Sequence, residues 1–101
     1  MIIYNITTKI NRDIEEDWLR WQKEDHIKEI MDTNLFQEYS IFRLLEQDDS
    51  EGPTYVIQFL TDTIEKYHLY ISRYAFILRE KAFKKWGNQF IAFRSLLKAV
   101  Q

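Results

Sequence analysis

Residues 54–60, Thr-Tyr-Val-Ile-Gln-Phe-Leu, read as a β-strand with large apolar side chains on both faces, Tyr55, Ile57 and Phe59 on one and Val56 and Leu60 on the other. A sheet holding such a strand cannot leave one face to water, so it must be covered twice. Residues 89–97 repeat the pattern, with Phe90 and Leu96 set against Ile91, Phe93 and Leu97.

Two more stretches alternate. Residues 2–10 place Ile2, Tyr4, Ile6 and Ile10 on one face against Asn5, Thr7 and Lys9, and residues 36–46 alternate from Phe36 to Glu46. Between the first and second strands lies a long amphipathic segment, with Asn11 and Asp13 as candidate caps and a helix from Ile14 to about Asp32. Asn34 is a suitable terminator because Asn tolerates the left-handed backbone found at helix ends. A polar, acidic loop from Gln47 to Pro53 joins the second and third strands as a hairpin. Thr61 or Asp62, the latter with Glu65 three residues on, begins a second helix over about 63–86, and Gly87 stops it.

The order is β-α-β-β-α-β in one domain, 1–101. It predicts an α+β, ferredoxin-like fold, a four-stranded antiparallel sheet with both helices on one face. Helices cover one face; the economical cover for the other is a second copy, giving a homodimer through the sheet face and a dimeric α+β barrel. The aromatic content points the same way, because 7 Phe, 6 Tyr and 3 Trp ask for more interior than 101 residues supply. A net charge of -2 gives no electrostatic support for nucleic-acid binding, and no stretch approaches the ~20 apolar residues of a membrane span. With no Cys, disulfides and thiolate chemistry are excluded; the N-terminus does not look like a signal peptide, and a cytoplasmic setting is expected.

Ile3-Tyr4-Asn5-Ile6-Thr7, Trp18-x-x-Trp21 followed by His26-Ile27, Thr33-Asn34-Leu35-Phe36, Tyr55-x-x-Gln58-Phe59 and Ala92-Phe93-Arg94-Ser95-Leu96-Leu97 together resemble DUF4286, a family of unknown function. The resemblance spans nearly the whole chain. It implies the same ferredoxin-like fold within the dimeric α+β barrel class, whose members include cofactor-free monooxygenases and haem-handling proteins, and it implies no substrate. Where such proteins often carry Pro after the His-Ile pair this chain has Lys28, and where a His-Ala-Pro break often interrupts helix two it has Tyr74-Ala75-Phe76. Helix two is expected to run straighter than in its look-alikes.

His26 is the leading candidate catalytic residue, since an imidazole titrates near neutrality and can serve as base, acid or ligand. His68 reads as an exposed surface residue. No His-x₃-His pair or two-His-one-carboxylate set is present, so no metal and no cofactor are expected. On a wheel of about 100° per residue, Leu19, His26 and Ile30 fall together with Gln22 at their edge, while Ile14, Trp18 and Trp21 lie nearly opposite. Helix one thus has two apolar faces, and its Trp pair is read as packing, apart from His26. Arg73, Arg79, Lys81, Lys84 and Lys85 read as a solvated basic face of helix two.

Asn5, Ser40, Gln58 and Arg94 interrupt apolar strands, and a buried polar group is costly unless paired. Strand one lies between strands three and four in this fold, so Asn5, Gln58 and Arg94 are expected near one another, either lining a pocket for a small anion or tying a dimer interface. Asn5, Gln22, Gln58 and Arg94 are therefore candidate ligand-binding residues beside His26. Three functions compete: a dimer binding a small apolar or anionic ligand between sheet and helix one, a cofactor-independent oxygenase or isomerase using His26, and a structural or interaction dimer.

Overall fold

The computed structural model describes residues 1–100. Strand β1 (Ile2–Ile10) is followed by helix α1 (15–31), β2 (Glu38–Arg43), β3 (Thr54–Thr61), helix α2 (64–86) and β4 (Phe90–Lys98). All pairings are antiparallel, β1 with β3 and β4 and β2 with β3, giving the order β2-β3-β1-β4. This is the ferredoxin-like topology that the order of elements predicts.

The inner sheet face carries Tyr4, Ile57 and Phe59, which form one core with Trp18, Ile30 and Leu78 of the helices. Both helices therefore lie on the same side. β2 is shorter than the 36–46 expected. Phe36 leaves the strand and enters the core, stacked 6.1 Å from Tyr4, while Leu45 is exposed in the loop beyond. The helix starts also differ from the caps expected. Asn11 makes no side-chain cap; a 3₁₀ turn, Arg12–Ile14, leads into α1 instead. Thr63, rather than Thr61 or Asp62, caps α2, its hydroxyl accepting from the Lys66 N–H at 3.3 Å. Asn34 and Gly87 end the helices with φ of 62° and 60°, as expected.

Neither helix is regular throughout. In α1 the α-helical turns Glu15–Trp21 and Ile27–Met31 flank a π-helical turn, Gln22–His26, and in α2 the segments Ile64–Tyr70 and Phe76–Trp86 flank a second, Ile71–Ala75. Helix two is continuous past Tyr74, but its straightness is relieved by that wider turn.

The β2–β3 loop is tied back to helix α1. Arg43 donates to Glu15 at 3.3 Å and to Asp49 at 3.0 Å, and the Tyr55 hydroxyl donates to Glu15 at 2.5 Å. Burial, reinforced by the Glu15 carboxylate, pushes the Tyr55 hydroxyl up to about 12. The loop closes on β1 through Gly52, whose φ is +134°, and the next residue, Pro53, accepts the Ile10 N–H at 3.1 Å.

The outer face is bare in the single chain. Register places Ser40, Gln58, Asn5 and Ser95 side by side in one polar row crossing all four strands. The adjoining row is Phe42, Val56, Thr7 and Phe93, of which Phe42 is 50% and Phe93 67% exposed.

Candidate functional site

The π-helical turn in α1 determines which side chains meet. Its hydrogen bond runs from the Ile27 N–H to the Gln22 carbonyl, five residues back rather than four, so positions five apart come to share a face. Trp21 and His26 accordingly stack, ring centroids 4.5 Å apart and planes 21° from parallel. A uniform wheel separates these two; the structure joins them. It also replaces the two apolar faces expected of α1 by a single inward stripe of Ile14, Trp18, Gln22, Ile27 and Ile30, all buried.

Beneath this stripe lies a cavity of about 40 Å³. Trp18, Trp21, Gln22 and His26 roof it, Ile6 and Phe59 belong to its floor, and Trp86 and Arg94 line it from α2 and β4. Trp86 meets Trp21 edge-on at 5.8 Å. Three polar atoms on these residues are buried without a protein partner: Gln22 Oε1, His26 Nδ1 and Trp86 Nε1. Each such orphan costs about 1–3 kcal/mol unless something in the cavity satisfies it. All three belong to residues that line this one space, which marks the site.

His26 is uncharged near neutral pH. Burial lowers its pKa from 6.5 to about 4; the Glu29 carboxylate opposes this, and Arg94 and Lys81 assist it. The unfolded chain binds the proton at 6.5 and the folded chain only near 4, so the unfolded state holds more protons between those values. Stability contributed by neutral His26 is full above pH 6.5 and is lost as pH falls toward 4, by about 3 kcal/mol if the whole shift is expressed. Urea unfolding of the wild type should show this slope across pH 6.5 to 4, steepest midway between the two values, and His26→Phe should flatten it. An unchanged slope in the variant refutes the assignment.

The five candidates divide between the two sides of the sheet. Gln22, His26 and Arg94 share the cavity. Arg94 pairs with Ile6 on the helix side, whereas Asn5 and Gln58 pair with each other on the outer face. There Gln58 Nε2 donates to Asn5 Oδ1 at 3.1 Å and Asn5 Nδ2 donates to Thr7 Oγ1 at 3.3 Å. The grouping of Arg94 with the two amides is thus corrected by the pleat. His68 is exposed, as expected.

Two residues escape the sequence reading. Trp86 has one signal, an indole N–H that needs a partner when its ring is buried. Arg79, assigned to a solvated face, instead turns inward, with Nη2 donating to the Tyr4 hydroxyl at 2.9 Å and Nε buried without a partner. Lys81 and Glu29 bridge the two helices at 2.8 Å. Among the described residues, no three His, Cys, Asp or Glu side chains gather as a metal site, and no helix is long and apolar enough to cross a membrane.

Comparison with known proteins gives a family and a fold. The model of DUF4286, a domain of unknown function, matches residues 1–100. No curated protein matches the chain. A dimeric ferredoxin-like protein from an uncultured marine organism superposes with a TM-score of 0.70 at 11% identity, covering 99% of this chain and 95% of its own. A second dimeric ferredoxin-like protein from an uncultured marine organism gives 0.67 at 18% identity, covering 100% and 96%. SnoaB, a cofactor-independent oxygenase from Streptomyces nogalater, gives 0.63 at 12% identity, covering 99% and 93%. At these identities the likeness is one of fold.

Proposed function

The chain belongs to the DUF4286 family, and from that premise we propose that it is a homodimer binding a small ligand between its sheet and helix α1. One observation carries the binding half: three residues lining one cavity each hold a buried polar atom without a protein partner. A site kept only for packing would be expected to use apolar side chains there, since unpaired buried polar groups reduce stability. Asn5 and Gln58 lie outside this site and belong to the dimer half of the reading.

A thermal-shift screen spanning small acids, amides and phenols tests the binding. A ligand at 100 times its Kd should stabilise the wild type by about 2.7 kcal/mol, which for a domain of this size is a rise in Tm of roughly 10 °C or more. Gln22→Leu should lose that rise. If no compound of any class shifts the wild type while Gln22→Leu is the more stable protein, the cavity is dry packing and the reading fails.

The dimer rests on the outer face. Phe42 and Phe93 are exposed at the two ends of a row they share with Val56 and Thr7, beside a polar row able to set the register of a second sheet. The dimeric description of two proteins sharing the fold agrees with this. Sedimentation at micromolar concentration should give twice the chain mass, and Phe93→Glu should give one chain mass by placing a charge in the interface. A wild-type monomer sinks the proposal. A cytoplasmic setting accords with a chain lacking Cys.

A second reading, cofactor-independent oxygenase or isomerase, is favoured by the neutral His26 stacked on Trp21 in an aromatic cavity. An uncharged imidazole can take a proton from a bound substrate. Turnover of a bound compound that survives His26→Ala would rule out that role.

A further inference from the structure

The lining of the cavity is rich in donors and has no anion. Trp86 Nε1 can only donate, and the Arg94 guanidinium can only donate and stays charged. The buried orphan of Gln22 is the acceptor Oε1, so its amide donates here only in the turned orientation, and neutral His26 carries one N–H. No Asp or Glu lines the space.

Arg94, an exposed side chain, also has no carboxylate partner among the described residues. Arg20 and Arg43 each pair with carboxylates, and Lys81 is neutralised by Glu29 at 2.8 Å, but Arg94 forms no ion pair among the described residues. Arg79, beside Tyr4 two residues along the same face of β1, forms none either.

Size narrows the ligand further. A water needs about 10–15 Å³ of this kind of space, so about 40 Å³ admits a group of roughly three heavy atoms. A whole aromatic ring does not fit.

We propose that the ligand's buried head is a carboxylate, received by Trp86 Nε1, the Gln22 amide and the Arg94 guanidinium, with the rest of the molecule extending toward the exposed Arg94 end. This rests on the cavity being a ligand site and adds the charge and shape of what enters it. Carboxylate oxygens match both kinds of donor, and a charged acceptor strengthens each bond relative to a neutral one. A neutral amide head would leave Arg94 to solvent and forgo the charge-assisted bond.

The test is a titration of the full-length protein with acetate and, separately, acetamide, at fixed pH and ionic strength, followed by the three indole N–H resonances in ¹⁵N–¹H spectra. Trp86→Phe identifies the Trp86 resonance. Acetate should shift it saturably, acetamide should bind at least tenfold more weakly, and Arg94→Gln should weaken acetate at least tenfold while leaving the rest of the spectrum folded. If acetamide matches acetate, or Arg94→Gln binds acetate as well as the wild type, the carboxylate assignment falls while the cavity remains a ligand site. If neither probe moves the Trp86 resonance, the carboxylate head is overturned, and a screen that also yields no ligand of any class removes the ligand site with it.

Discussion

Trp18→Ala is expected to lower the free energy of unfolding by about 3–5 kcal/mol, a large share of what holds a domain of this size together. The indole is 1% exposed, its ring lies 5.5 Å from that of Tyr55, and it forms part of the cavity roof. Truncation removes the burial of the largest side-chain type and leaves a void that a sheet on one side and a helix on the other cannot both collapse to fill. Urea unfolding at fixed protomer concentration should show the midpoint falling with little change in slope. A loss below about 1 kcal/mol would mean that the roof repacks and that Trp18 is not the keystone of the core.

The second large effect comes from a position with no side chain. Gly52→Ala would put a Cβ 1.8 Å from the Ile10 carbonyl oxygen, at a residue whose φ is +134°. The obstacle is backbone of β1, which is itself held in the sheet, so neither partner can move cheaply. Strained backbone costs about 1–3 kcal/mol and overpacking about as much again, so a loss of roughly 2–6 kcal/mol is expected. Gly87→Ala supplies the control: its φ is +60° but a Cβ there meets nothing within 4 Å, so only the backbone cost applies. Equal losses at the two glycines would show that the contact with Ile10 is relieved.

The strands were legible because period-two alternation is a strong signal when both faces are apolar, as in residues 54–60. Their order followed from the sequence of elements, since few topologies accommodate β-α-β-β-α-β. The site was less so. Gln22, His26 and Arg94 stand out in the sequence and share a cavity, yet strand parity separates Arg94 from Asn5 and Gln58. Arg94 shares its parity with Phe90 and Leu96, and antiparallel pairing sets it opposite Ile6. That correction needed only the pleat. The meeting of Trp21 with His26 was hidden for a different reason: a π-helical turn has no residue signature comparable to Gly or Pro, and a wheel of constant pitch carries its phase error past every residue that follows.

The same turn bears on how this site tolerates a residue gained or lost. Residues 22–26 contain one residue more than an ordinary helix would need between the flanking turns, and the excess is absorbed locally, so Trp18 before it and Ile27 and Ile30 after it all still face inward. Deleting exposed Lys23 is expected to restore a plain helix, keep those flanks buried and leave Trp21 and His26 four positions apart, still on one face. The stacked pair is thus a product of residue choice rather than of chain length. Two descendants of one ancestor can differ by a single codon lost or gained here and both keep the stack, whereas replacing either ring removes it.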